Sequence, residues 1–221
     1  MQHKIHRLLM QHNLENNIDF SKFSGLSNAK KNKELVESLT KFLNNLGFNL
    51  ESADLHNTKI KVIELMLNTT YSGLDYKNFP EINLEDNISK YNSPVMCSGI
   101  AANSTCEHHL VPFSGNAVFA YIPKKHIIGL GKITKIINFF ARRPQIQERL
   151  NKQIFVVMQH ILNTDDIAIG INASHQCMSR LGETSGNSNV TTFELGGKFK
   201  SDNNLANTFY SLINNFNQNK S

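Results

Sequence analysis

Cysteine is scarce in this chain: Cys97, Cys106 and Cys177 are the only three in 221 residues. So few thiols, odd in number and widely spaced, do not make the disulfide framework of a small secreted domain, and they point to the reducing cytoplasm. Long apolar runs are also missing. The start, Met1-Gln2-His3-Lys4-Ile5-His6-Arg7, is polar and only a short apolar patch follows. Neither a secretory signal nor a membrane span is therefore expected. Nor is there a dense basic block: 23 Lys and Arg against 18 Asp and Glu leave a formal charge of +5, with the cations scattered. That balance suits a small anionic ligand and carries no nucleic-acid footprint. Asparagine is frequent but spread along the chain, so it forms no low-complexity tract, and no internal repeat is found.

The length is enough to bury a sizeable core in one domain. The first third reads as helical. Ile5, Leu8, Leu9 and Met10 gather on one side of residues 2–16, and Ser27-Asn28 can cap a helix carrying Leu35, Leu39, Phe42 and Leu46 to a stop at Gly47. A third helix is expected over residues 58–68. After a polar connection at 72–91 come strands at 95–102 and 117–122, helices at 132–141 and 145–162, strands at 167–173 and 190–194, and a closing helix at 203–215. Pro144 separates the two middle helices, and the second presents Ile146, Leu150, Ile154, Val157 and Ile161 inward. Helices mixed with antiparallel strand pairs predict an α+β fold. It divides into an N-terminal helical segment, residues 1–70, and a second part, residues 71–221, that carries the chemistry.

That chemistry centres on Ser104-Thr105-Cys106-Glu107-His108-His109. Cys106 and His109 have the spacing that lets a thiolate and an imidazole on one turn meet at a tetrahedral ion. Cys177, in His175-Gln176-Cys177, can supply a third ligand from a distant strand. Such a Cys2His set leaves a fourth position for water, as catalytic zinc does; structural zinc is closed by four protein ligands. The same residues would also serve a structural metal pinning the Cys177 strand end to the Cys106 loop. Cys97, in apolar Val95-Met96-Cys97, is read as a small buried hydrophobe and not as a fourth ligand. His108 and His175 remain available for proton transfer near neutral pH. On an extended segment positions 175 and 177 face the same way, which favours one site for both.

Further blocks follow in order: Tyr121-Ile122-Pro123, Gly129-Leu130, Lys132-Ile133, Arg143-Pro144-Gln145-Ile146-Gln147-Glu148-Arg149-Leu150 and Leu195-Gly196-Gly197. With these blocks, from about Ser72 to the last helix, the sequence resembles GTP cyclohydrolase I. The resemblance implies the tunnelling fold, in which subunit sheets join into a barrel and two pentameric rings stack as a homodecamer with active sites between subunits. It implies Zn2+ on Cys106, His109 and Cys177, with water attacking C8 of GTP. His175 would protonate the opening imidazole ring, and His108 would assist proton transfers around the ribose. Glu148 with Gln147 would hold the guanine edge, though a carboxylate at a helix start also needs no ligand to be favourable. Glu107, Lys132, Lys135 and Arg180 complete the implied substrate-binding set. The products would be formate and 7,8-dihydroneopterin triphosphate, a first step toward tetrahydrofolate and pterins.

Four places depart from that family pattern. Thr58-Lys59-Ile60-Lys61 stands where a Thr-Pro-x-Arg pattern is usual, and Gly131 replaces a Ser before Lys132. Lys135 keeps the charge of the usual Arg without its bidentate fork. Leu181 occupies the Arg position four residues after Cys177, with Arg180 one residue early; on an extended strand that shift changes face unless a bulge restores it. The last three fall at the ribose-triphosphate end. Two alternatives therefore stand beside the implied activity: a zinc hydrolase of the same family acting on another purine derivative, and a non-catalytic purine- or pterin-binding homologue.

Overall fold

The computed structural model describes residues 1–23, 29–182 and 188–218. Its helices and strands run α1 (Gln2–Gln11), α2 (Phe20–Phe23), α3 (Ala29–Asn45), α4 (Thr58–Leu65), β1 (Leu84–Asp86), β2 (Val95–Cys106), β3 (Pro112–Tyr121), β4 (His126–Ile128) and α5 (Leu130–Ala141). They continue as β5 (Pro144–Gln145), α6 (Gln147–Leu162), β6 (Ile167–His175), α7 (Gln176–Arg180), β7 (Asn189–Leu195), α8 (Gly197–Ser201) and α9 (Asn203–Gln218). Five strands form one sheet in the order β5-β2-β3-β6-β7, antiparallel except where β5 runs parallel to the end of β2; β1 and β4 pair separately.

The middle strands are apolar on both faces, and alternation sorts their side chains into two layers. Ala117, Phe119 and Tyr121 of β3 join Ile133, Ile136, Ile137 and Phe140 of α5 and Leu150, Ile154 and Val157 of α6 in the main core. Their neighbours Val118, Ala120 and Ile122 turn to the other face and pack with Phe199, Phe209 and Ile213 from α8 and α9. This is an α+β architecture, as expected.

α1 belongs to the main core through fully buried Ile5 and Leu9, whereas Met10 is 56% exposed and the helix ends at Gln11, short of the expected residue 16. The segment after it is tied down by polar groups. Asn16 Nδ2 donates to Pro144 O (2.6 Å), Gln153 Nε2 donates to Leu14 O (2.6 Å), and the buried Arg143 guanidinium donates to Glu15 Oε1 (2.9 Å). α3 ends where Gly47, at φ +88°, provides the left-handed stop. Its proposed caps, Ser27 and Asn28, lie outside the described residues. Only the far end of the α3 stripe is uncovered among the described residues: Leu35 and Leu39 are half-buried, whereas Phe42 and Leu46 are 58% and 60% exposed. α4 gives way at Met66–Thr70 to a π-helical turn.

Two boundaries matter for the site. Gln145, expected to begin a helix, instead joins Pro144 in a short strand beside Thr105 and Cys106, and Ile146 is 37% exposed because it precedes α6. The loop at Ser72–Leu74 packs on the end of α5, with Gly73 N donating to Arg142 O at 2.9 Å. A Cβ on Gly73 would stand 1.9 Å from Phe139 O, so only glycine allows this approach.

Candidate metal centre and base site

Strand register brings the chemical residues together. β2 ends at Cys106, and the turn after it closes with Leu110 N donating to Cys106 O and Cys106 N donating to Val111 O, both 2.9 Å. Across the sheet Thr105 pairs with Pro112, and Phe113 pairs with His175, the last residue of β6. α7 begins immediately and carries Cys177 in its first turn. A helical turn, and not the expected pleat of an extended strand, thus sets Cys177 near His175. Ligand atoms of buried Cys106, exposed His109 and half-buried Cys177 all lie within 4.8 Å of one another. Burial raises the Cys177 thiol above its ordinary pKa, and the hydrogen-bonded Cys106 thiol raises it further.

His175 is held on two sides. Its ring stacks on Phe113 with centroids 4.5 Å apart and planes 8° apart, and its Nε2 lies 2.7 Å from Gln147 Oε1. The Gln147 amide nitrogen is committed to Ile171 O, Val190 O and Thr192 Oγ1, each at 3.0 Å. That fixes the amide's orientation: its oxygen accepts, so His175 Nε2 donates and Nδ1 is left free. Burial lowers the His175 pKa, and the nearby Glu148 carboxylate opposes that shift. Glu148 itself is exposed in the first turn of α6. The expectation for Gln147 is a contact with a base; here both ends of its buried amide are engaged inside the chain.

Glu107 is clamped from the neighbouring element. Its N–H donates to Gln145 O (3.0 Å), and its carboxylate takes a short bond from Arg149 Nη2. Arg149 Nε also donates to Gln145 Oε1 (3.2 Å) and Nη2 to Pro144 O (3.3 Å). The other Glu107 oxygen is 3.9 Å from Nε2 of the exposed His108. Lys132 and Lys135 stand elsewhere, in a cleft of about 550 Å³ between the Ser72 loop and α5, whose walls include neither the metal group nor His175. Lys132 Nζ there donates to Glu81 O at 2.6 Å. Arg180 is exposed in α7, and because that segment is helical, it shares a face with Cys177 three residues earlier. No bulge is involved, and strand parity does not govern positions 180 and 181.

The profile of GTP cyclohydrolase I matches residues 35–214. The chain belongs to the GTP cyclohydrolase I family. It is similar to the GTP cyclohydrolase 1 of Buchnera aphidicola subsp. Schizaphis graminum, with 40% identity over 203 residues that cover 92% of this chain and 93% of that one. The GTP cyclohydrolase 1 of Vibrio cholerae is 42% identical over 174 residues, 79% of this chain and 80% of its own. That of Blochmanniella pennsylvanica is 41% identical over 187 residues, 84% and 85% of the two chains. The α+β sheet described above agrees with the family's tunnelling fold.

In this member of the GTP cyclohydrolase I family, Cys106, His109 and Cys177 form a group that could hold a metal ion. Two facing thiols with an imidazole are a soft donor set that a single cation would satisfy. Sequence reasoning assigned no part to Phe113 or Arg149. Phe113 falls before the strand expected at 117–122, and only the longer β3, Pro112–Tyr121, sets it opposite His175. Arg149 lies within a quoted block, but its pairing with Glu107 spans 42 positions and leaves no local pattern.

Proposed function

We propose that this chain is a zinc-dependent GTP cyclohydrolase I, converting GTP and water to 7,8-dihydroneopterin triphosphate and formate. The observation that carries the reading is the convergence of a Cys2His ligand set with His175 and Glu148 at one end of the sheet. Zinc held by Cys106, His109 and Cys177 would supply Lewis-acid activation of water at neutral pH. His175, steadied by Gln147 and Phe113, passes a proton through Nδ1 to the purine ring nitrogen as the imidazole ring opens. His108, on the exposed turn, serves proton transfers at the ribose. Glu148 accepts from the guanine N–H edge, Gln147 acts on the base through His175, and Glu107 keeps the turn and His108 in place. Lys132, Lys135 and Arg180 bind the triphosphate.

The active unit is a homo-oligomer, in our reading the decamer of two pentameric rings. Three features support assembly. β7 has no partner on its outer side among the described residues, and β5 covers only the Thr105–Cys106 end of β2. α3 leaves Phe42 and Leu46 exposed. The cleft of Lys132 and Lys135 is walled separately from the metal group, so a second copy can bring one to the other. We place the protein in the cytoplasm, where three unpaired thiols stay reduced. Among the described residues no helix is long and apolar enough to cross a membrane.

Chelation and readdition test the reading. Formate release from GTP should stop when the metal is stripped and return with zinc, while circular dichroism and assembly size stay constant. Turnover that persists in fully stripped protein would contradict it; unfolding on stripping would make the metal structural.

A further inference from the structure

Arg142 and Arg143 are adjacent in sequence and opposite in environment. Arg143 is fully buried, its guanidinium 4.7–4.9 Å from the ring centroids of Tyr76, Phe139 and Phe140 and bonded to Glu15. That is a structural use of arginine. Arg142 caps α5 and is exposed; its carbonyl accepts from Gly73, but its guanidinium has no hydrogen-bond or ionic partner among the described residues. A cation is favourable at any helix C-terminus. Here, however, the side chain makes no bond to the terminal carbonyls and instead lines the cleft that holds Lys132 and Lys135.

The cleft's chemistry is one-sided. Its walls carry three cations, Lys132, Lys135 and Arg142, against one acid, Glu81, whose backbone carbonyl already holds Lys132. Lys135, Asn138 and Arg142 recur at helical spacing on one face of α5, and the ten residue steps from Lys132 to Arg142 span about 15 Å of helix. Asn138 and Arg142 also line a second hollow, of about 290 Å³, whose far wall includes Ser104 and Thr105, next to the metal-group residue Cys106. Arg142 therefore stands where the basic cleft meets the strand that leads to the metal group.

Three cations in series suit linked anionic groups better than a single carboxylate, which one cation would satisfy. A cleft of about 550 Å³ suits a small molecule. Lysine offers phosphate a point charge, whereas a guanidinium offers two parallel donors. We infer that Arg142 is a substrate-binding residue, the guanidinium that grips the polyphosphate tail of the substrate in the Lys132–Lys135 cleft. The inference rests on the proposed reading of the substrate as GTP.

The test is calorimetric titration of inorganic tripolyphosphate into the zinc-loaded assembly, with formate release from GTP measured in parallel. Arg142→Ala should weaken tripolyphosphate binding about tenfold or more, the loss expected for one charge-assisted contact, and raise KM for GTP by a similar factor. Lys41→Ala, the same charge change on exposed α3, should leave both unchanged. If Arg142→Ala does not assemble, Arg142→Lys carries the test: it keeps the charge, loses the fork, and should weaken binding about threefold or more. Wild-type affinity in the assembled variant, or no tripolyphosphate binding by the wild type, would overturn the inference. A wild type that binds tripolyphosphate with Arg142 dependence but releases no formate from GTP would overturn the proposed reaction and leave Arg142 as a polyphosphate ligand.

Discussion

Gln147 Oε1 lies 2.7 Å from His175 Nε2 and accepts its hydrogen bond, so Nδ1 is the imidazole nitrogen left without a partner among the described residues. The same amide ties β6 to β7 through Ile171 O, Val190 O and Thr192 Oγ1. One buried side chain thus joins the sheet to His175.

Replacing Gln147 by Met keeps the approximate size and removes every one of these bonds. The account predicts a stability loss of about 1–3 kcal/mol in urea unfolding, because buried partners are left unpaired. It also predicts slower turnover at unchanged zinc content, since His175 is no longer oriented. Unchanged turnover would mean that the Gln147 contact does not serve His175.

Removing His175 itself should be more severe. His175→Ala is expected to lower formate release by about 10²–10⁴-fold, the range for a positioned acid–base group. GTP binding, followed by equilibrium dialysis, should persist. Full activity in this variant would refute its role as proton carrier, and a protein with no hydrolysis to lose would favour the purine- or pterin-binding alternative.

Arg149 clamps the turn between two metal-group residues by way of Glu107, with Gln145 and Pro144 as its further anchors. Outer partners of this kind typically matter about 10- to 100-fold in metal affinity. Arg149→Ala should show such a loss in competition with a chromophoric chelator, and Arg149→Lys a smaller one. Wild-type zinc affinity in both would show that the turn is held by its backbone bonds alone.

Gly73 tests the packing that shapes the basic cleft. A methyl group there would collide with Phe139 O and Arg142 O, at 1.9 and 2.8 Å from its ideal position. Gly73→Ala should therefore destabilise by about 1–3 kcal/mol, an overpacking cost, and weaken GTP binding along with it. Wild-type stability would mean that the loop can move away without consequence.

Much of this was legible in the sequence because it is local. The Cys106 and His109 spacing, the period of α5 and α6, and the stop at Gly47 are all patterns within a few turns of chain, and each is found in the structure. What depended on distant pairing was not legible. Gln145 looks like a helix start until Cys106 is beside it. The segment after His175 looks extended because β6 is so apolar, yet the chain turns helical there and Cys177 arrives on α7. The α3 stripe reads as core by its spacing, but nothing local says that its far end, Phe42 and Leu46, stays uncovered among the described residues. Gln147, Arg149 and Arg142 show the same limit: their meaning lies in partners far along the chain, or in the lack of them.

The most direct test of the central claim is a single assay on the purified, zinc-loaded assembly given GTP, following formate release and pterin absorbance or fluorescence together. The account predicts both signals, in equal amounts. That result would mean that Gly131, Lys135 and Leu181 are compatible with the complete reaction. Neither signal from an intact, metal-filled assembly would contradict GTP as the substrate and direct the search to other purines.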